Sequence, residues 1–158
     1  MTDIQAALGI HQLRKLPEFH RRRKEIAEHY NRAFSKIEEL QVPVERDWAG
    51  HAWHLYALRL NLGRLTISRD QFIAELQRRN IGSSVHFIPV HLHSHYREKY
   101  KFRAEDFPVA YAEYQRLVSL PCSPRLSDED IEDVIAAVST VVQQNSLTAG
   151  QRLAAACP

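Results

Sequence analysis

Apolar residues recur at helical spacing from Ile4 to Leu40, the longest regular pattern in the chain. Thr2 and Gln5 precede this run as a capping box, in which the two side chains satisfy free backbone N–H groups at a helix start. Pro17 interrupts the pattern and is expected to restart the helix in its first turn. We therefore expect one long kinked helix, or two in succession, ending before Pro43.

The rest of the chain alternates between short strand and helix patterns. Segments rich in aromatic and aliphatic residues predict strands at 52–60, 84–88 and 117–120. Helices are predicted at 68–79, at 108–116 and from a capping residue at 127 onward, while 90–107 has no clear period. Because short strands need helices against one face, the prediction is an α+β fold: a small, mostly antiparallel sheet of three to four strands backed by helices.

Composition excludes several functional classes. The 158 residues suit one domain, and 21 Lys+Arg against 19 Asp+Glu do not call for nucleic acid or an anionic membrane as partner. No apolar run approaches the roughly 20 residues of a membrane span, and no signal peptide is visible. Cys122 and Cys157 lie far apart, so a cytoplasmic protein without disulfides is expected. We expect a folded domain over 1–142 and a flexible polar tail over 143–158.

Histidines are concentrated in one segment, where His86, His91, His93 and His95 precede Tyr96. If 91–95 were a strand, alternation would place three imidazoles on one face, as a zinc site could use. Pro89 and the polar run after Tyr96 disfavour a regular strand, and no cysteine or carboxylate completes a clear ligand set. Histidines that line a pocket are the preferred interpretation, and a metal site or structural histidines remain alternatives.

Two further groups of polar residues have competing interpretations. His54 and Tyr56 lie two positions apart on a predicted strand, so their side chains share a face that either lines a cleft or is half-buried structure. The basic run at 20–24 could contact phosphates, but nearby glutamates on the same predicted helix favour a solvated helix face.

The sequence offers no clear catalytic group. It has no glycine-rich phosphate loop and no Gly-x-Ser-x-Gly turn. A Schiff-base lysine needs a lowered pKa from burial or a nearby cation. Polar or charged neighbours surround every lysine of the chain, which are Lys15, Lys24, Lys36, Lys99 and Lys101.

Four stretches, in order, resemble one known family. They are 1–7 with 12–16 and 21–27; 51–56; 81–87 with His91 and 96–98; and 119–121 with 126–130. Together they resemble the C-terminal part of the DegT/DnrJ/EryC1/StrS sugar aminotransferases over residues 1 to about 142. Within that family, enzymes that make 4-amino-4-deoxyarabinose on a UDP carrier are the most similar.

The resemblance implies a fold like the small C-terminal domain of type I pyridoxal-phosphate (PLP) aminotransferases. It further implies a homodimeric enzyme that transfers an amino group from glutamate to a keto-sugar nucleotide. The large domain and its Schiff-base lysine have no counterpart here, so this chain alone is expected to bind no PLP and to be inactive. The implied substrate-binding residues are His86, His91 and Tyr96, with His54 and Tyr56 as weaker candidates.

Two other functions stay open beside this one. The chain could be a standalone sugar-nucleotide-binding or dimerisation module, or a metal-binding protein built on the histidine cluster. If a large domain normally covers the first helix, the 158 residues alone would expose apolar side chains such as Ile4, Leu8 and Leu13, which favours self-association.

Overall fold

A computed structural model describes residues 1–148 as an α+β domain, which confirms the predicted fold class. The helices are α1 (Asp3–Phe34), α2 (Arg69–Arg78), α3 (Ser94–Tyr100), α4 (Pro108–Arg116) and α5 (Asp128–Asn145). The strands are β1 (Leu40–Gln41), β2 (Tyr56–Leu60) and β3 (Leu117–Leu120). Single 3-10 turns lie at Leu62–Arg64, Val90–Leu92 and Ala104–Asp106.

The three strands form an antiparallel sheet in the order β1-β2-β3. Leu40 of β1 faces Leu60 of β2, and Tyr56 of β2 faces Leu120 of β3. On the outer side of β3, Ser84 forms an isolated bridge with Ser119 through two backbone hydrogen bonds of 2.8 and 3.2 Å. The sheet therefore ends in a single residue pair beside the histidine-bearing segment.

Alternation along β2 separates the two faces of the sheet. Tyr56, Leu58 and Leu60 are fully buried, and the Tyr56 ring meets the Tyr30 ring of α1 at a centroid distance of 4.9 Å. The opposite face carries Arg59, which forms an ion pair of 2.6 Å with Glu113 of α4. The main core therefore lies on the Tyr56 face, and α4 covers the other.

Helix α1 is continuous through Pro17, so the predicted kinked or doubled helix is a single element that ends at Phe34. Only its C-terminal half reaches the core, through Ile26, Ala27, Tyr30 and Phe34. The N-terminal half exposes most of its aliphatic side chains, as expected. Ile4, Leu8, Ile10, Leu13 and Leu16 are all more than half exposed.

Two of the strand predictions are wrong in extent. The predicted strand 52–60 begins only at Tyr56, because Trp53 has a φ of 47° and left-handed backbone cannot continue a strand. The predicted strand 84–88 is reduced to the Ser84 bridge, and Pro89 has no N–H to extend a ladder.

Other differences come from elements without a strong local pattern. The two-residue strand β1 lies where the helical pattern was expected to continue, and α3 lies inside the segment predicted to be irregular. Helix α5 runs three residues past position 142 to Asn145, and Ser146 then bridges to Leu65. The start of the predicted flexible tail is therefore packed, while 149–158 lie outside the described residues.

Within residues 1–148, no helix combines the length and apolarity needed to cross a membrane.

Candidate functional site

His86 is fixed by the edge of the sheet. Its Nδ1 lies 2.9 Å from the Ser119 hydroxyl of β3 and 3.3 Å from that of Ser84. Its ring packs edge-on against Phe87, whose side chain is 74% exposed. With Nδ1 engaged by hydroxyls, Nε2 is the ring nitrogen left to meet a ligand, so the imidazole is oriented before any ligand arrives.

His91 occupies a different environment, inside the protein. It lies in the 3-10 turn at Val90–Leu92, is only 7% exposed and packs on the Phe107 ring at 4.6 Å. Its Nε2 is buried and has no hydrogen-bond partner within residues 1–148. A buried imidazole nitrogen without a partner carries a desolvation cost of about 1–3 kcal/mol. His91 thus holds an unused polar group beneath the surface.

Tyr96 of α3 is 38% exposed and begins a chain of ring contacts. Its ring stacks on Tyr100 at 6.1 Å, Tyr100 stacks on Phe102 at 5.5 Å, and Phe102 meets Phe107 edge-on at 5.3 Å. Since Phe107 also packs on His91, the structure joins Tyr96 and His91 through one aromatic chain.

The structure separates His54 from Tyr56. His54 is exposed and precedes the strand, whereas Tyr56 is fully buried and donates its hydroxyl to Asn31 Oδ1 at 2.7 Å. The expectation that both side chains share one face is wrong, because regular alternation begins only at Tyr56. Tyr56 belongs to the core, and His54 remains an exposed candidate.

The buried tyrosines give this core a predictable response to alkali. Burial raises the pKa of Tyr30 and of Tyr56 well above the usual value near 10. Above about pH 10 the unfolded chain loses phenolic protons that the folded chain keeps, so this part of the stability is complete below that pH and declines above it. In a titration followed at 295 nm, we expect these two of the six tyrosines to ionise only as the protein unfolds. Ionisation of all six in one early step would contradict their burial.

The histidine cluster does not form a metal site in the described part of the chain. No group of three or more His, Cys, Asp or Glu side chains is placed to hold an ion there. The alternation at 91, 93 and 95 is absent, since His91 lies in a 3-10 turn and His95 in α3. The metal-binding alternative therefore has no structural support.

The lysines do not fit the anchoring of PLP. When bound in an aminotransferase, PLP supplies the electron sink for amino transfer, and it is tethered by a lysine of perturbed pKa. All the lysines of this chain lie within residues 1–148 and are exposed. None offers a buried amine of the kind that tethers PLP.

The basic run at 20–24 is largely a charged helix face, as expected. Arg21 pairs with Glu25 at 2.5 Å, and Arg22 reaches Asp128 of α5 at 2.8 Å and the Leu126 carbonyl at 2.6 Å. Arg22 therefore ties the middle of α1 to the start of α5.

Two neighbours of the candidate residues could not be found by spacing in the sequence. Ser119 lies 33 positions from His86, and Phe107 packs on His91 from beyond helix α3 and the 3-10 turn at Ala104–Asp106. Ser119 lies in the predicted strand 117–120 and in a stretch of the family resemblance, but neither signal pairs it with His86. The packing partners depend on the path of the 90–107 segment, whose sequence has no clear period.

Two proteins with similar sequences match at least 90% of this chain. Spore coat polysaccharide biosynthesis protein SpsC of Bacillus subtilis is 45% identical over 144 residues, which are 90% of this chain and 37% of SpsC. The uncharacterised protein MJ1066 of Methanocaldococcus jannaschii is 49% identical over 145 residues, which are 92% of this chain and 38% of MJ1066.

Solved structures agree in fold. The candidate sugar aminotransferase Spr1654 of Streptococcus pneumoniae, in its PMP form, superposes with a TM-score of 0.83 at 32% identity. The match covers 91% of this chain and 36% of that one, and the PLP form gives a TM-score of 0.82. The chain thus spans less than two fifths of the length of these relatives. The DegT/DnrJ/EryC1/StrS aminotransferase family model matches residues 1–139, and the chain therefore belongs to that family.

Proposed function

We propose that this chain is the small C-terminal domain of a PLP-dependent aminotransferase that transfers an amino group from glutamate to a keto-sugar nucleotide. Its role is to contact the sugar nucleotide, while PLP and its lysine belong to another part of the enzyme. We further propose a cytoplasmic homodimer as the working form. Family membership and the likeness to Spr1654 in both PMP and PLP forms support the chemistry.

The orientation of His86 is the observation on which this role rests. Hydroxyls of Ser84 and Ser119 hold one ring nitrogen and leave the other to donate to, or accept from, a ligand. Sugar hydroxyls and diphosphate oxygens are both partners that an imidazole can bind. A ring held by the sheet loses little side-chain freedom on binding, which favours affinity.

Tyr96 and His91 contribute differently to the proposed site. The Tyr96 ring is partly exposed and can present its phenol group to the ligand. His91 is buried, so a ligand can reach its Nε2 only if the side chains packed around it move. We propose that His86 and Tyr96 make the first contacts, with His91 joining after such a rearrangement.

Amide resonances followed during titration with UDP-glucose test this role. We expect saturable shifts near His86 and Tyr96, and His86→Ala should weaken binding by roughly 3- to 10-fold, the value of one neutral hydrogen bond. His11→Ala is the matched control, because His11 is an exposed histidine on the N-terminal half of α1. Equal losses in the two variants, or no saturable shift, would refute the substrate-contacting role.

A second measurement tests the proposal that the 158 residues alone do not transaminate. The chain is incubated with PLP and glutamate, reduced with borohydride and analysed by mass spectrometry for cofactor fixed on lysine. We expect labelling spread weakly over the exposed lysines and no conversion of glutamate to its keto acid. Stoichiometric label at one lysine, together with turnover, would contradict this.

A further inference from the structure

A small basic cavity lies between α1 and the connection from β3 to α5. Its volume is about 280 Å³, close to the lower end of the roughly 300–1,000 Å³ range of small-molecule sites. Lys15 and Arg23 line it from α1, and Arg125 lines it from the connection. We call this cavity the basic pocket. It shares no lining residue with the proposed His86 site.

The charge in the basic pocket is not neutralised within residues 1–148. No carboxylate lines the cavity, and none of its three basic side chains takes part in an ion pair there. The nearby carboxylates of Glu25 and Asp128 are held by other arginines. Three like charges around one cavity repel each other, so an anion that entered would be attracted by all of them.

Arg23 adds an unpaired donor within residues 1–148. Its Nε is buried and has no hydrogen-bond partner, although donors of this kind are nearly always paired. Arg23 lies beside Arg22, whose Nη2 donates to the Leu126 carbonyl and to Asp128. Within residues 1–148, Arg22 therefore has an ion-pair partner and the Arg23 side chain does not.

The remaining lining residues suit a small polyatomic anion. Gln12 and Ser123 add neutral groups that can hydrogen-bond, while Phe19 and Pro124 form apolar walls that limit access of water. A phosphoryl dianion balances three cations better than a single carboxylate, and guanidinium groups bind its oxygens in a forked geometry.

We propose that the basic pocket binds a phosphoryl group through Lys15, Arg23 and Arg125. The group belongs either to inorganic phosphate or to a nucleotide diphosphate, both of which present the same oxygens. Neither the identity of the proposed aminotransferase substrate nor the His86 site enters this inference.

Titration of the 158-residue chain with inorganic phosphate at constant ionic strength, followed by amide resonances, tests the proposal. We expect saturable shifts at Ser123 and Arg125, and at least a tenfold loss of affinity in Arg23→Gln, as for a charged hydrogen bond. Arg125→Gln should also weaken binding, and it guards against misfolding because Arg125 is exposed. A parallel titration with UDP separates the two sources, since tighter binding of UDP read from the same Ser123 and Arg125 resonances assigns the basic pocket to a nucleotide.

Lys24→Gln is the matched control, because it removes one exposed positive charge from the same helix outside the pocket. We expect its phosphate affinity to stay within about twofold of the parent value. An equal loss in Lys24→Gln would mean diffuse attraction to the basic helix and would overturn the proposal. So would acetate binding as tightly as phosphate, or the absence of saturable shifts.

Discussion

Replacing Phe34 by alanine is expected to lower the free energy of unfolding by about 3–5 kcal/mol. Phe34 is the last residue of α1, is fully buried and stacks on Tyr30 at a centroid distance of 5.7 Å. Its loss leaves a cavity where α1 meets the core, and a domain of this size has only about 5–15 kcal/mol in total. Urea unfolding followed by circular dichroism measures the change.

Phe87→Ala is the matched control for this prediction. It makes the same chemical change at a side chain that is 74% exposed, so we expect a loss below about 0.5 kcal/mol. Phe34→Leu should fall between the two, at about 1.5 kcal/mol or less, because most of the volume is kept. Similar losses for the two alanine variants would show that Phe34 does not anchor α1 as described.

Arg69→Ala is expected to be the second most damaging change, at about 2–4 kcal/mol. The Arg69 side chain is only 7% exposed and donates to the carbonyl oxygens of Tyr114, at 2.9 Å, and Leu117, at 3.4 Å. Its guanidinium also lies 4.8 Å from the Tyr114 ring centroid. Removing it leaves the carbonyls at the junction of α4 and β3 without a charged donor. Chemical denaturation of the purified variant measures the loss.

Two further substitutions show whether the buried fork of Arg69 is responsible. Arg78→Ala removes an arginine from the same helix whose side chain is 72% exposed, and it should cost no more than about 0.5 kcal/mol. Arg69→Lys keeps the charge but loses the planar fork, so an intermediate loss is expected. If Arg69→Ala were as mild as Arg78→Ala, the junction would not depend on this side chain.

The parts of the fold that the sequence predicted correctly are those with local signals. Capping boxes at Thr2, Ser68 and Ser127 mark the starts of α1, α2 and α5 within one residue. These signals are reliable because the bonds join residues only three positions apart. The α+β class follows from the order of such elements.

Elements that depend on distant partners were missed. Strand β1 has two residues and forms because Leu40 pairs with Leu60. The two residues are distant in sequence, so no local pattern indicates this contact. Helix α3 has few aliphatic residues, and stacked Tyr96 and Tyr100 take the place of a periodic apolar face. Propensity and periodicity describe neither case.

The sequence indicated candidate residues for the site, but it could not indicate how they are arranged in space. The sequence indicated His86 and His91 as polar groups of one segment, yet one is held at the sheet edge and the other is buried. What separates them is packing against Ser119 and Phe107, which depends on the path of an irregular segment. Tyr56 does not share a face with His54, because regular alternation begins only at Tyr56, after the left-handed backbone at Trp53.

Helix α1 is about 48 Å long, and the backbone amides of its two halves are expected to differ in their protection from hydrogen exchange. Amides near Tyr30 are expected to exchange with solvent only when the whole domain opens, because the side chains there are buried in the core. Amides before Pro17 are expected to be protected mainly by the local helix–coil equilibrium, because the side chains of this segment are largely exposed. A helical segment of that length is only marginally stable by itself. A single unbroken helix therefore carries a steep gradient of local stability from its cap to its anchor.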